Sequence, residues 1–116
     1  MMRKETMTLS KQPLIIAVDI DGVLTFETKE WGEEAYRSRT PRPKNIKRVK
    51  RLHDQGHKII LFTARHEEDK DVTLEWLSEH KVVYDEIIFN KLHYDFFVDD
   101  RALSNFFDLM VTLDRR

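Results

Sequence analysis

Asp19, Asp21, Thr63, Lys91, Asp99 and Asp100 are the residues whose types and order in this chain could carry out chemistry. Asp19 and Asp21 close a β-branched apolar run and are followed at once by Gly22; Asp99 and Asp100 close Phe96-Phe97-Val98. Four carboxylates crowded within about 4 Å would repel by ~4 kcal/mol per pair at an effective dielectric of 20. Lys91 can offset one charge. A divalent cation offsets more, and hard oxygen donors without Cys or His select Mg²⁺, which keeps positions open for water and a substrate phosphate.

Such a cluster suits phosphoryl transfer. A strand-end carboxylate beside Mg²⁺ can attack phosphorus and form an aspartyl-phosphate. A second carboxylate two residues on, brought round by the Gly22 turn, can protonate the leaving oxygen and then activate water. The Thr63 hydroxyl and the backbone N–H groups that follow, beginning at Ala64, can cradle phosphate oxygens, and Lys91 adds positive charge where the transferring group is most negative. Taken alone, Asp-x-Asp-Gly is a weak signal that also fits a tight turn or a fragment of a calcium loop. The calcium loop fails because its sixth position, which needs glycine, holds Leu24. A lone Lys91 is ordinarily solvated, and a lone Thr63 is a strand-end hydroxyl bonded to backbone. The order of the set and its strand-end setting give it weight.

Positioning these residues requires strands that end on one rim. Leu14–Val18, Lys58–Thr63 and Asp95–Asp99 are short apolar runs of the kind buried on both faces of a parallel sheet, and Glu86–Phe89 is a shorter fourth. Between them, Pro43 opens and Gly56 closes a helix over 43–55 with Ile46, Val49 and Leu52 on one face. A second helix is expected over 69–80, with Val72, Trp76 and Leu77 inward, and a third after Arg101 with Leu103, Phe106 and Phe107. Residues 22–42 lack a period and read as an extended loop or small hairpin. Alternating buried strands and helices predict a three-layer α/β/α Rossmannoid domain with a mostly parallel sheet of about four to five strands. In such sheets ligands sit beyond the carboxyl ends of the strands.

The length, 116 residues, accommodates one domain, read as 13–116 after a flexible start over 1–12. With 41% hydrophobic and 35% charged residues the chain is too apolar for disorder and too charged for a membrane protein. Zero cysteines exclude disulfide scaffolds, thiol nucleophiles and iron–sulfur sites. The longest apolar stretch, Leu14 to Val18, falls far short of a bilayer span, and the expectation is a cytoplasmic protein. The net charge of −1 hides asymmetry: Arg37 to Arg51 carries only basic charge, whereas Glu67 to Glu86 is predominantly acidic.

The motifs resemble those of haloacid-dehalogenase superfamily phosphatases. Val18-Asp19-Ile20-Asp21-Gly22-Val23-Leu24-Thr25 is similar to the first motif, Leu61-Phe62-Thr63-Ala64-Arg65 to the second, Lys91 to the third and Phe97-Val98-Asp99-Asp100-Arg101-Ala102 to the fourth. The likeness spans Leu14 to Phe107. It implies an Mg²⁺-dependent phosphomonoesterase with Asp19 as nucleophile, Asp21 as general acid/base, and Thr63, Ala64 and Lys91 on the phosphate. The metal would be held by Asp19, the Asp21 carbonyl and Asp99, with Asp100 close by. No room remains for a large cap domain, so the site should be open, suiting a large substrate or closure by a partner or a second copy. Thr73–Leu77 and Val83–Ile87 resemble small capless members associated with capsular-polysaccharide biosynthesis, although Leu92-His93-Tyr94 stands where the commonest form has proline.

Arg65, Trp31 and His93 are candidate substrate contacts, the substrate being a sugar phosphate, a nucleotide or another phosphomonoester. Phe26 and Tyr36 either line the entrance with Trp31 or pack over the sheet edge. The motifs also resemble phosphatase domains of polynucleotide kinases, and the basic stretch could guide a nucleic acid 3′-phosphate, but without interleaved aromatics it reads better as a solvated helix face. A receiver-like phosphoprotein places its acid pair on the first strand, opposite to the order here. A non-catalytic phospho-ligand module would bind phosphate without turnover.

Overall fold

The computed structural model describes residues 12–116, so the start expected to be flexible lies, except for Gln12, outside the described residues. Three strands form one sheet: β1 (Ile15–Val18), β2 (Lys58–Phe62) and β3 (Glu86–Ile88), in the order β1-β2-β3. Both pairings are parallel, with Val18 level with Leu61 and Leu61 level with Ile87. Parallel neighbours require crossovers, and helices supply them. Helix α1 (Glu33–Arg37) and helix α2 (Pro43–Asp54) lie between β1 and β2; a 3₁₀ turn (Glu67–Asp69) leads into α3 (Lys70–Glu79) before β3, and α4 (Phe106–Asp114) ends the chain.

Local chemistry explains the boundaries. Pro43 enters α2 in its first turn, and beyond its end Gly56 takes φ +98°, a conformation open to glycine. Asn105 caps α4 by accepting the Asp108 N–H at 2.9 Å. At the opposite end of the sheet from the rim, His57 is buried and its Nδ1 accepts the Leu14 N–H at 3.0 Å.

The core lies on one face of the sheet. Ile16, Val18, Ile59, Leu61 and Ile87 point to that side and pack with Val49 and Leu52 of α2, Trp76 and Leu77 of α3, and Phe106 of α4. Side chains alternate along a strand, so Ile15, Ala17, Ile60, Phe62 and Ile88 face the other way. There Ile15 is 70% exposed, Ile88 46% and Phe62 36%. The α/β class with a parallel sheet and no cap is as expected. The second helix layer is not: among the described residues no helix shields that face.

The strand count is a second correction. Three strands form instead of four to five, because Asp95–Asp99 pairs with nothing. Phe96 is 90% and Val98 96% exposed. The chain is fastened on either side of this segment. The Lys91 N–H donates to the Thr63 carbonyl at 2.9 Å, and Phe106 is buried beside the Gly22–Val23 turn. The stretch between passes outside the sheet. An apolar run reveals the tendency to form a strand, not whether an edge meets it.

The packing gives a direct check. Leu52→Ala, at a fully buried position, should lower unfolding free energy by about 2–5 kcal/mol in chemical denaturation. Lys47→Ala on the solvated side of the same helix should stay within about 0.5 kcal/mol.

Candidate functional site

The carboxyl ends of the three strands bring Asp19, Thr63 and Lys91 to one rim. Asp19 follows β1, Thr63 follows β2, and Lys91 lies three residues beyond β3. Lys91 Nζ stands 3.4 Å from Asp19 Oδ2, while Asp19 Oδ1 accepts the Ile20 N–H at 2.8 Å. Burial pushes the Asp19 carboxyl above its ordinary value, and Lys91 and the Ile20 N–H only partly offset this. Thr63 is buried; its N–H donates to the Ile88 carbonyl and its Oγ1 accepts the Arg65 N–H at 3.1 Å. Ala64 lies in the turn between them.

Asp21 is held differently. Gly22, at φ +88°, turns the chain, and a Cβ there would lie 3.3 Å from Glu27 Oε2. The turn is tied down by Asn45 Nδ2 on the Val23 carbonyl at 2.7 Å and by Arg42 on the Gly22 carbonyl at 3.1 Å. Two arginines then clamp the Asp21 carboxylate. Arg65 Nε donates to Oδ2 at 2.9 Å and Nη2 to Oδ1 at 2.8 Å, a bidentate fork; Arg39 Nε reaches Oδ1 at 3.1 Å. Burial alone would raise the Asp21 carboxyl, but Arg65 and then Arg39 outweigh it and hold it below the ordinary carboxylate value.

The clamp is rooted in the core. Arg65 is fully buried, its third contact is Nη1 to Thr73 Oγ1 at 3.1 Å, and its guanidinium lies 4.0 Å from the buried Tyr36 ring. Arg39 also bonds Thr28 Oγ1 and the Glu30 carbonyl, and its own carbonyl accepts Trp76 Nε1–H at 2.9 Å. Arg65 therefore serves Asp21 rather than facing a substrate. Arg39 is a residue that sequence reasoning missed: it was counted within a basic run, and only its contacts separate it from its exposed neighbours. Tyr36 joins the core, while Phe26 remains half exposed under the Arg42 guanidinium.

Trp31, His93 and His66 form a ring cluster, with Trp31 and His93 ring centroids 5.2 Å apart and His93 and His66 6.2 Å apart. Asp99 and Asp100 do not join Asp19. Both are exposed on the segment outside the sheet, and Asp99 Oδ1 accepts the Arg101 N–H at 2.7 Å. The donor chemistry still suits Mg²⁺, and among the described residues no three His, Asp or Glu side chains converge on one point. Nor is any described helix long and apolar enough to cross a membrane.

No family model matches the chain, and no curated protein does. Among solved structures, a protein from Vibrio cholerae is similar with a TM-score of 0.66 and 28% identity, over 90% of this chain and 98% of that one. Two structures of the Pnkp1/Rnl/Hen1 complex, one described as an RNA repair complex, are similar with TM-scores of 0.60 and 0.58 at 19% identity. They match over 88% of this chain, which spans only 34% and 32% of theirs. The chain thus shares its α/β fold with these structures.

Removing Arg65 should leave the mostly buried Asp21 carboxylate with Arg39 as its remaining partner. Arg65→Met is expected to cost stability at neutral pH toward the low end of about 3–5 kcal/mol. Asp21 has its folded pKa below the ordinary value of 3.8. Its contribution is therefore fully present above that value and is lost as pH falls through the lower folded pKa. Denaturation of wild type and variant across acidic pH should show the gap between them closing in that direction.

Proposed function

We propose that this chain is a phosphomonoester hydrolase that works through an aspartyl-phosphate on Asp19, with residues 13–116 acting as one hydrolase unit. The observation that carries the reading is the Asp19 carboxylate at the end of β1, one oxygen free of backbone bonds and facing Lys91 Nζ at 3.4 Å. Asp19 Oδ2 would attack phosphorus, forming one P–O bond as the bond to the leaving oxygen breaks. Water would then attack the aspartyl-phosphate, releasing phosphate and restoring the carboxylate. Lys91 and the backbone N–H groups after Thr63 would take the growing negative charge.

Asp21 is the proposed general acid and base. In its present position the carboxylate is ionised and accepts from two arginines, so protonating a leaving oxygen requires Asp21 first to release the Arg65 fork and take up a proton from solvent, which it then donates to that oxygen. The reading also takes Mg²⁺ as cofactor, which requires Asp99 to reach the rim. Trp31 and His93 flank an uncapped mouth that would accommodate a sugar phosphate or a nucleotide. The likeness of Thr73–Leu77 and Val83–Ile87 to capless members linked to capsular polysaccharide favours the former. The polynucleotide alternative is weaker: Arg39 and Arg42 of the basic stretch are turned inward to Asp21 and the Gly22 carbonyl.

Hydrolysis of p-nitrophenyl phosphate with and without Mg²⁺ tests the reading. Asp19→Asn should abolish turnover, and retained Mg²⁺-dependent turnover in that variant would rule out Asp19 as nucleophile. Asp21→Asn should lose about 10²–10⁴-fold on an alkyl phosphate, whose leaving group needs a proton, and less on p-nitrophenyl phosphate.

A further inference from the structure

Lys91 is fixed through its backbone but steered by aromatic rings. Its N–H donates to the Thr63 carbonyl and the Asn90 N–H donates to the Arg65 carbonyl, both at 2.9 Å, so the main chain here is tied to the loop after β2. The side chain is held more loosely. Its ammonium stands 3.4 Å from Asp19 Oδ2, longer than a good charge-assisted bond, yet the side chain is only 14% exposed. An ammonium carries three donors and is strongly hydrated in the open, so withdrawing it from water requires further partners. Two ring faces supply them. The Phe62 centroid lies 5.4 Å and the Tyr94 centroid 5.5 Å from Nζ, both within the range in which a ring quadrupole attracts a cation. Tyr94 is itself backed by Phe97, with ring centroids 5.3 Å apart. Phe62 ends β2 and Tyr94 lies beyond β3, so the ammonium is gripped between two separate segments.

We propose that Tyr94, together with Phe62, is a positioning residue for Lys91: the two ring faces hold the ammonium against Asp19 without neutralising it. Asp21 provides the contrast. Its carboxylate meets two arginines, and the charges are spent within the protein. A second carboxylate beside Lys91 would likewise spend the ammonium, whereas a ring attracts it while carrying no net charge. Among the described residues Asp19 is the carboxylate that Lys91 reaches, and the rings add grip without adding negative charge. A phosphoryl group arriving at Asp19 therefore meets an ammonium for which no other carboxylate competes. That last consequence rests on the phosphatase reading; the grip of the rings on Lys91 does not.

A double-mutant cycle between positions 94 and 91 tests this. Tyr94→Leu keeps an apolar side chain but removes the ring face, and Tyr94→Phe keeps the face. Because Tyr94 is 46% exposed, neither change opens a core cavity and both variants should fold. In chemical denaturation, Tyr94→Leu should lower the folding equilibrium constant by about 2- to 5-fold more in the native background than in Lys91→Met, the factor expected of a partly exposed cation–ring pair. Tyr94→Phe should show no such difference. An equal effect of Tyr94→Leu in both backgrounds, or Tyr94→Phe behaving as Tyr94→Leu does, would overturn the proposal. Calorimetric titration with inorganic phosphate gives a second readout: Tyr94→Leu should weaken binding by about 2- to 5-fold, and only while Lys91 is present. Binding left unchanged by Tyr94→Leu, or weakened equally in Lys91→Met, would also overturn it. A wild type that binds no phosphate yet shows the coupling in denaturation would count against the phosphatase reading alone.

Discussion

The rim is organised by the clamp of Arg65 and Arg39 on the Asp21 carboxylate. Two carboxylates two residues apart at a strand end repel, and the fold keeps both by treating them unequally. Asp21 receives a bidentate guanidinium and a second arginine and is held below the ordinary carboxylate pKa. Asp19 has one lysine at 3.4 Å and is pushed up by burial. These shifts favour the ionised form of Asp21 and oppose that of Asp19, so a nucleophilic Asp19 leans on Lys91 for its charge and a proton-donating Asp21 requires release of the Arg65 fork. The same clamp binds separate parts of the chain: Thr73 and Trp76 of α3, Tyr36 of α1 and the Thr28–Glu30 loop all bear on the two arginines or their backbone.

Much of this was legible in the residues. The β-branched run before Asp19, the apolar run before Thr63 and the Ile87–Ile88 pair are strands because local composition and burial agree, and a parallel sheet then places Asp19, Thr63 and Lys91 together. Helices α2 and α3 follow from their apolar spacing and from Pro43 and Gly56. What pairing and contact decide was not legible. Asp95–Asp99 has strand composition but meets no edge. Arg39 and Arg65 look like surface or substrate-facing arginines until their donors are traced to Asp21. The five residues of α1 carry too short a pattern to show a period. Ile15, Phe62 and Ile88 alternate with core residues, and whether the second face is covered depends on what lies above it, not on the strand itself.

Fold and chemistry therefore rest on different evidence. Structures only 19% identical share the fold with TM-scores near 0.60, and a fold by itself does not assign a reaction. The functional reading comes from the site, where one carboxylate is left able to react while its neighbour is occupied. Among the described residues the β1 edge is open and Asp99 stays away from Asp19, and both go with the unpaired stretch Asp95–Asp99.

The most direct measurement is to quench the wild-type chain during turnover of p-nitrophenyl phosphate, reduce the acyl-phosphate with borohydride and locate the modified residue by peptide mass spectrometry. Modification should fall on Asp19 and leave Asp21 untouched. Modification of Asp21, or steady turnover with no labelled carboxylate, would contradict the account.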